Sequence, residues 1–143
     1  MQMSAIALKA LQHGLKSIED IEGPLVPFTL VLDTNPDLAN RTMTLTRYAG
    51  ELLEDSLRAA QESIVPSKEK SMYAIAWDGF ATIDGRKWDA VLVEAGNADE
   101  PEGVLMAQRY EGKMVGLFSK HHRNVAVGDP IHVGSAPSRL WTA

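Results

Sequence analysis

Tyr73-Ala74-Ile75-Ala76-Trp77-Asp78-Gly79-Phe80-Ala81-Thr82-Ile83, then Asp84-Gly85, then Arg86-Lys87-Trp88-Asp89-Ala90-Val91-Leu92-Val93: this stretch decides the fold. Asp-Gly between two apolar, β-forming runs predicts a two-residue type I′ hairpin turn. Both turn positions need positive φ, which Asp tolerates and Gly adopts freely. The register then follows by counting. Ile83 faces Arg86, Ala81 faces Trp88, Gly79 faces Ala90 and Trp77 faces Leu92. Because strand side chains alternate, one face carries Tyr73, Ile75, Trp77, Ala81, Ile83, Trp88, Ala90 and Leu92. This face is expected to be the core side, beneath the helices. The other carries Ala76, Asp78, Phe80, Thr82, Lys87, Asp89, Val91 and Val93, a mixture of apolar and charged residues. A second Asp-Gly, at Asp78-Gly79, reads as a turn or a glycine bulge. The bulge is preferred and would shift the pairing of Trp77 and everything before it by one residue, so the register is firmest between Phe80 and Asp89.

Downstream, Asn97 to Glu102 reads as a polar loop around Pro101, and Gly103 to Tyr110 as the third strand of the meander. Glu111-Gly112 is expected to turn the chain into Lys113 to Phe118. Val125–Val127 and Ile131–Val133 are weaker strands, separated by Asp129-Pro130. Near the end, the apolar pair Leu140-Trp141 is expected to dock on the body or on a partner.

Upstream, a helix is expected from about Ala5 to Glu22, with Ser4 as N-cap and an apolar stripe at Leu8, Leu11, Leu15 and Ile18. Gly14 weakens it by about 1 kcal/mol relative to Ala, so the helix should depend on docking. Phe28 to Leu32 reads as a buried strand, Asp33 to Asn40 as a turn or loop, and Arg41 to Thr46 as a short strand. A second helix is expected on the face of Leu45, Tyr48, Leu52, Leu57, Ala60 and Ile64, ending at Pro66. The whole, residues 1–143, reads as a single α+β domain with two helices packed on one face of a mostly antiparallel sheet.

Composition bounds the function. At 143 residues the chain suits one domain with a real core, and 45% hydrophobic against 23% charged residues is ordinary for a globular protein. No cysteine is present, which removes disulfides, thiolate catalysis and cysteine-ligated zinc. The first 22 residues lack a signal-like apolar run, and no run suits a membrane span, so a cytoplasmic protein without membrane contact is expected. The net charge of −5 disfavours nucleic acid, whose binding releases counterions to basic side chains.

No motif carries a reaction. His121-His122 with Asp129 and His132 resembles a metal set only loosely, because adjacent histidines on a strand point apart. The basic run Lys120-His121-His122-Arg123 offers an anion-binding candidate through Lys120, His121 and Arg123. Asp78, Asp84, Asp89 and Glu94 supply carboxylates, but Val93-Glu94-Ala95-Gly96 has Gly where a Glu-x-Lys nuclease strand needs Lys. Gly134-Ser135-Ala136 lacks the rest of a nucleophile elbow, and no phosphate-binding glycine loop is present. No cofactor is expected. Phe80, Val91 and Val93 on the mixed face are the candidate interface. The leading expectation is a non-catalytic interaction protein that self-associates as a dimer. The alternatives are a small enzyme or ligand-binding domain with an anion pocket near residues 120–123, and an immunity- or antitoxin-like protein that neutralises a partner.

Overall fold

The computed structural model describes residues 2–21, 23–34, 42–118 and 121–143. The elements run α1 (Met3–Ile18), β1 (Phe28–Asp33), β2 (Thr42–Arg47), α2 (Leu53–Ser63), β3 (Lys70–Ile83), β4 (Arg86–Asn97), β5 (Glu102–Val115) and β6 (His121–Pro137). Six strands form one antiparallel sheet in the order β2-β1-β3-β4-β5-β6. The α+β class therefore holds. The expected loop at 33–40 and the start of the short strand at Arg41 lie largely outside the described residues.

The β3–β4 hairpin has the counted register throughout, from Ile83↔Arg86 to Met72↔Asn97. Asp84 and Gly85 take φ of 52° and 76°, as a type I′ turn requires. The expected bulge at Gly79 is absent: pairing runs straight through Gly79↔Ala90. A Cβ at Gly79 would lie 2.7 Å from Leu92 Cδ1, so glycine gives the end of the Leu92 side chain its room there. The expected turn at Glu111-Gly112 is also absent. β5 continues to Val115, and a Cβ on Gly112 would lie 2.5 Å from His122 Cε1 across the ladder. The two weak C-terminal strands are one long edge strand, β6, which tolerates Pro130 because an edge has unpaired positions.

The helices divide between the two faces, unlike the expected arrangement on one face. α1 packs on the face of Ala74, Ala76, Val91, Val93 and Met106, together with Phe28, Leu30 and Leu32 of β1. It touches β1 and β3 to β6, so the sheet wraps around it. Its buried positions are Ile6, Ala7, Ala10, Leu11, Gly14 and Ile18, while Leu8 of the expected stripe is exposed. Small residues let the helix sit close: a Cβ on Gly14 would lie 2.9 Å from Val91 Cγ1. The helix begins at Met3 with Gln2 as N-cap, so Ser4 lies inside it and caps nothing.

α2 packs on the opposite face, where Ala60 and Ile64 meet Tyr73, Ile75 and Leu140. It is shorter than the apolar spacing predicts. Leu45 belongs to β2, where Met43 and Leu45 alternate with exposed Thr42, Thr44 and Thr46. On this same face the chain end is clasped down. Tyr73 donates its hydroxyl to Glu94 Oε2 at 2.6 Å, and Arg139 donates from Nε at 2.7 Å to the same oxygen. Ser138 donates to the Asn97 carbonyl at 2.6 Å, and Leu140 is buried beside α2. Glu94 is a buried carboxylate made tolerable by a paired, hydrogen-bonded guanidinium.

The far end of α1 is completed by β6. The Asn124 side chain donates to the carbonyls of Ile18 (2.7 Å) and Ile21 (2.9 Å), and its backbone N–H donates to Glu19 at 2.8 Å. These contacts tie the last helical residue and the turn that follows it to β6.

Candidate functional site

β1 begins at Phe28, opposite Ala76, so β3 runs on past it without a neighbour on that side. The segment 23–27 and the start of α2 lie along this free edge. There the Leu25 backbone N–H donates to Asp78 Oδ2 at 2.9 Å. Beyond the end of α1 the concave face stays open. A cleft of about 470 Å³ forms there, with Asp78, Phe80, Asp89, Tyr110, His122 and Asn124 on its walls. An apolar slot of about 210 Å³ adjoins it between Leu25, Leu53, Leu57 and Trp77, sharing Asp78 and Leu53 with the cleft.

The register explains the gathering. Phe80 pairs with Asp89, Asp78 pairs with Val91, and Ala90 pairs with Arg109, so Asp78, Phe80, Asp89 and Tyr110 project on one face. Tyr110 pairs with Ala126 and Gly112 with Asn124, which brings β6 to the same wall. Asp78 is held in place: the Tyr110 hydroxyl donates to both its oxygens, at 2.8 and 3.0 Å. Burial pushes the Tyr110 hydroxyl above the usual tyrosine value, and the hydrogen bond and negative charge of Asp78 and the charge of Asp89 push it further. Tyr110 thus keeps its proton and Asp78 its position. His122 shares a hydrogen bond of 2.9 Å with Asn124 Oδ1, and the missing Cβ of Gly112 leaves room for its ring.

Phe80 is 60% exposed, and the Lys87 ammonium sits 4.0 Å above its ring. The cleft therefore combines two carboxylates with an aromatic face that already receives a cation. Behind it, on the opposite face of the hairpin, Arg86 and Arg109 flank the Trp88 ring at 3.7 and 4.8 Å. On the same face Ala81, Ala90 and Ala107 form a small buried cluster packed by Ile83, Leu92 and Ile131.

The residues expected to bind fall apart. Lys120 lies outside the described residues. His121 is exposed, and Arg123 is engaged in an ion pair with Glu19 at the end of α1. Val91 and Val93 are fully buried beneath α1 and unavailable to a partner; of the candidate interface only Phe80 is exposed. Among the described residues no group of three or more metal-binding side chains gathers, and no helix is long and apolar enough to cross a membrane. Tyr110 and His122 are the cleft residues that sequence reasoning did not bring to Asp78, Phe80 and Asp89. Counting from Asp84-Gly85 puts Asp78, Phe80 and Asp89 on one face. Tyr110 and His122 join them only through the β4–β5 and β5–β6 registers, which no tight-turn signature announces.

The chain matches no family model, no curated protein and no solved structure.

Proposed function

We propose that this is a non-catalytic binding protein whose concave cleft receives a basic group of a protein partner. The observation that supports it is the cleft's wall: Asp78 and Asp89 beside an exposed Phe80 whose face already holds an ammonium. A Lys or Arg side chain entering there meets opposite charge and an aromatic surface in a partly desolvated recess, where such contacts are strongest. The apolar slot beside α2 suits the hydrophobic neighbour of that residue.

Binding is favoured over catalysis because the polar groups of the cleft are satisfied by one another. Asp78 accepts from Tyr110 and Leu25, and His122 is paired with Asn124. The anion pocket near residues 120–123 is not favoured, since Arg123 is committed to Glu19. A net charge of −5 supports a protein partner, a second copy included, over nucleic acid. A partner-neutralising role is the form this reading takes when the basic group belongs to a different protein.

Calorimetric titration with tetra-lysine and tetra-arginine peptides tests it. Binding is expected to weaken as salt rises. It should fall about tenfold in Asp89→Lys, the ratio that corresponds to about 1.4 kcal/mol. Absence of binding by either peptide, or unchanged affinity in Asp89→Lys, overturns the reading.

A further inference from the structure

The β5–β6 hairpin ends in the most exposed large apolar pair among the described residues. Leu117 is 94% and Phe118 103% exposed, and Met114, also on β5, is 60% exposed. The surrounding sequence is distinctive in charge. Residues 112–128 contain Lys113, Lys120 and Arg123 and no Asp or Glu, in a chain with 19 acidic residues. The hairpin thus presents an apolar end on a stem without acidic residues, where Lys113 is exposed and Arg123 is engaged by Glu19, and this end complements the acidic, aromatic cleft.

Both features belong to one region of the molecule. Gly112 and His122, at the base of the hairpin end, form part of the cleft wall. Val115, where β5 ends, lies three residues further along, about 10 Å at 3.3 Å per residue, and Leu117 follows two residues beyond it. The hairpin is paired from Gly112↔Asn124 to Val115↔His121, and Leu117 and Phe118 beyond it are almost wholly exposed, so they do not fold back into their own cleft. A two-fold axis near the cleft mouth lets each tip cross to the other molecule, so that one surface carries both halves of a self-complementary contact.

The geometry points to a second copy of this chain as an occupant of the cleft, each copy inserting Leu117 and Phe118 into its partner's cleft and directing the Lys113 side of the hairpin at the partner's Asp89. This rests on the cleft being a receptor for basic and apolar groups. It adds the identity of the partner and the segment that enters.

Light scattering on the full chain tests it. Wild type is expected to be a dimer at micromolar concentration. Phe118→Asp and Asp89→Lys should each be monomeric while keeping the wild-type circular dichroism; both positions are exposed, so the fold is not at risk. Mixing the two variants should regain dimer, because one tip and one cleft remain intact in that pair. A wild-type monomer at every concentration, or a dimer that survives both substitutions, overturns the inference. A monomer that binds phosphatidylserine vesicles through Phe118 also overturns it, in favour of a lipid surface. In any of these cases binding of the tetra-lysine or tetra-arginine peptide shows that the cleft reading stands without the dimer. Loss of peptide binding as well removes both.

Discussion

The two ends of the β3–β4 hairpin are built from the same two strands and have opposite fates. At the end of Tyr73 and Ala95 both faces are buried, one under α1 and the other under α2 and the chain end. At the end of Phe80 and Asp89 neither face has a helix: one opens into the cleft and the other carries the Arg86–Trp88–Arg109 stack. A long hairpin anchors one end in a core and leaves the other open at the cleft. Under the binding proposal, stability and recognition divide along one pair of strands.

The sharpest way to break this contrast is to truncate one side chain at each end. Leu11→Ala, beneath the closed end, should cost about 2–5 kcal/mol, since Leu11 is fully packed. Phe80→Ala should stay within about 0.5 kcal/mol. Urea unfolding of both variants measures the difference, and comparable losses would dissolve the distinction.

Arg139→Ala probes the clasp at the closed end. It leaves the Glu94 carboxylate buried with only Tyr73 as side-chain donor. A loss of about 2 kcal/mol is expected, less than for a fully buried pair because Arg139 is partly exposed. Far-ultraviolet circular dichroism should be unchanged while the melting temperature falls.

Alkaline titration compares one tyrosine from each end. Burial and a carboxylate partner raise both Tyr73 and Tyr110 above the usual value of about 10. A raised folded-state value means that the fold holds these protons more tightly than the open chain does. The stability so conferred is fully present below about pH 10 and is lost as pH rises through the folded values. Phenolate absorbance from these two rings should therefore appear together with unfolding rather than before it. Early, separate ionisation of Tyr110 would show that its end of the hairpin opens alone. The smallest effect is expected away from both ends: Arg58→Ala, which breaks an exposed pair with Asp55, should change stability by less than about 0.5 kcal/mol.

How much of this was legible follows from where local signals are strong. Asp84-Gly85 fixes a register because its backbone angles admit one turn, and the pairs from Ile83↔Arg86 to Phe80↔Asp89 follow from two residues. That the same register continues to Met72↔Asn97 is not legible while Asp78-Gly79 can be read as a bulge. The faces were separable for the same reason, but not which of them α1 would cover. Val91 and Val93 look like an orphaned apolar patch until the helix is placed on them. α2 appeared too long because Leu45 and Tyr48 satisfy a helical period, whereas the alternation of Thr42, Thr44 and Thr46 with Met43 and Leu45 satisfies period two. Tertiary pairing with β1 decided between them. The cleft was half visible: Asp78, Phe80 and Asp89 share a face by counting, while Tyr110 and His122 arrive through long-range pairings.

Asn124 completes the helix that begins more than a hundred residues earlier in the chain. When the protein is made from its N-terminus, α1 emerges before any strand, yet the cap for its last turn emerges only with the final strand. The helix also rests on Val91, Val93 and Met106, all distant in sequence. α1 is thus synthesised before the strands that hold it and is among the last elements to be secured. The slow step of folding is expected to be the closing of the sheet around a helix that has been waiting for it.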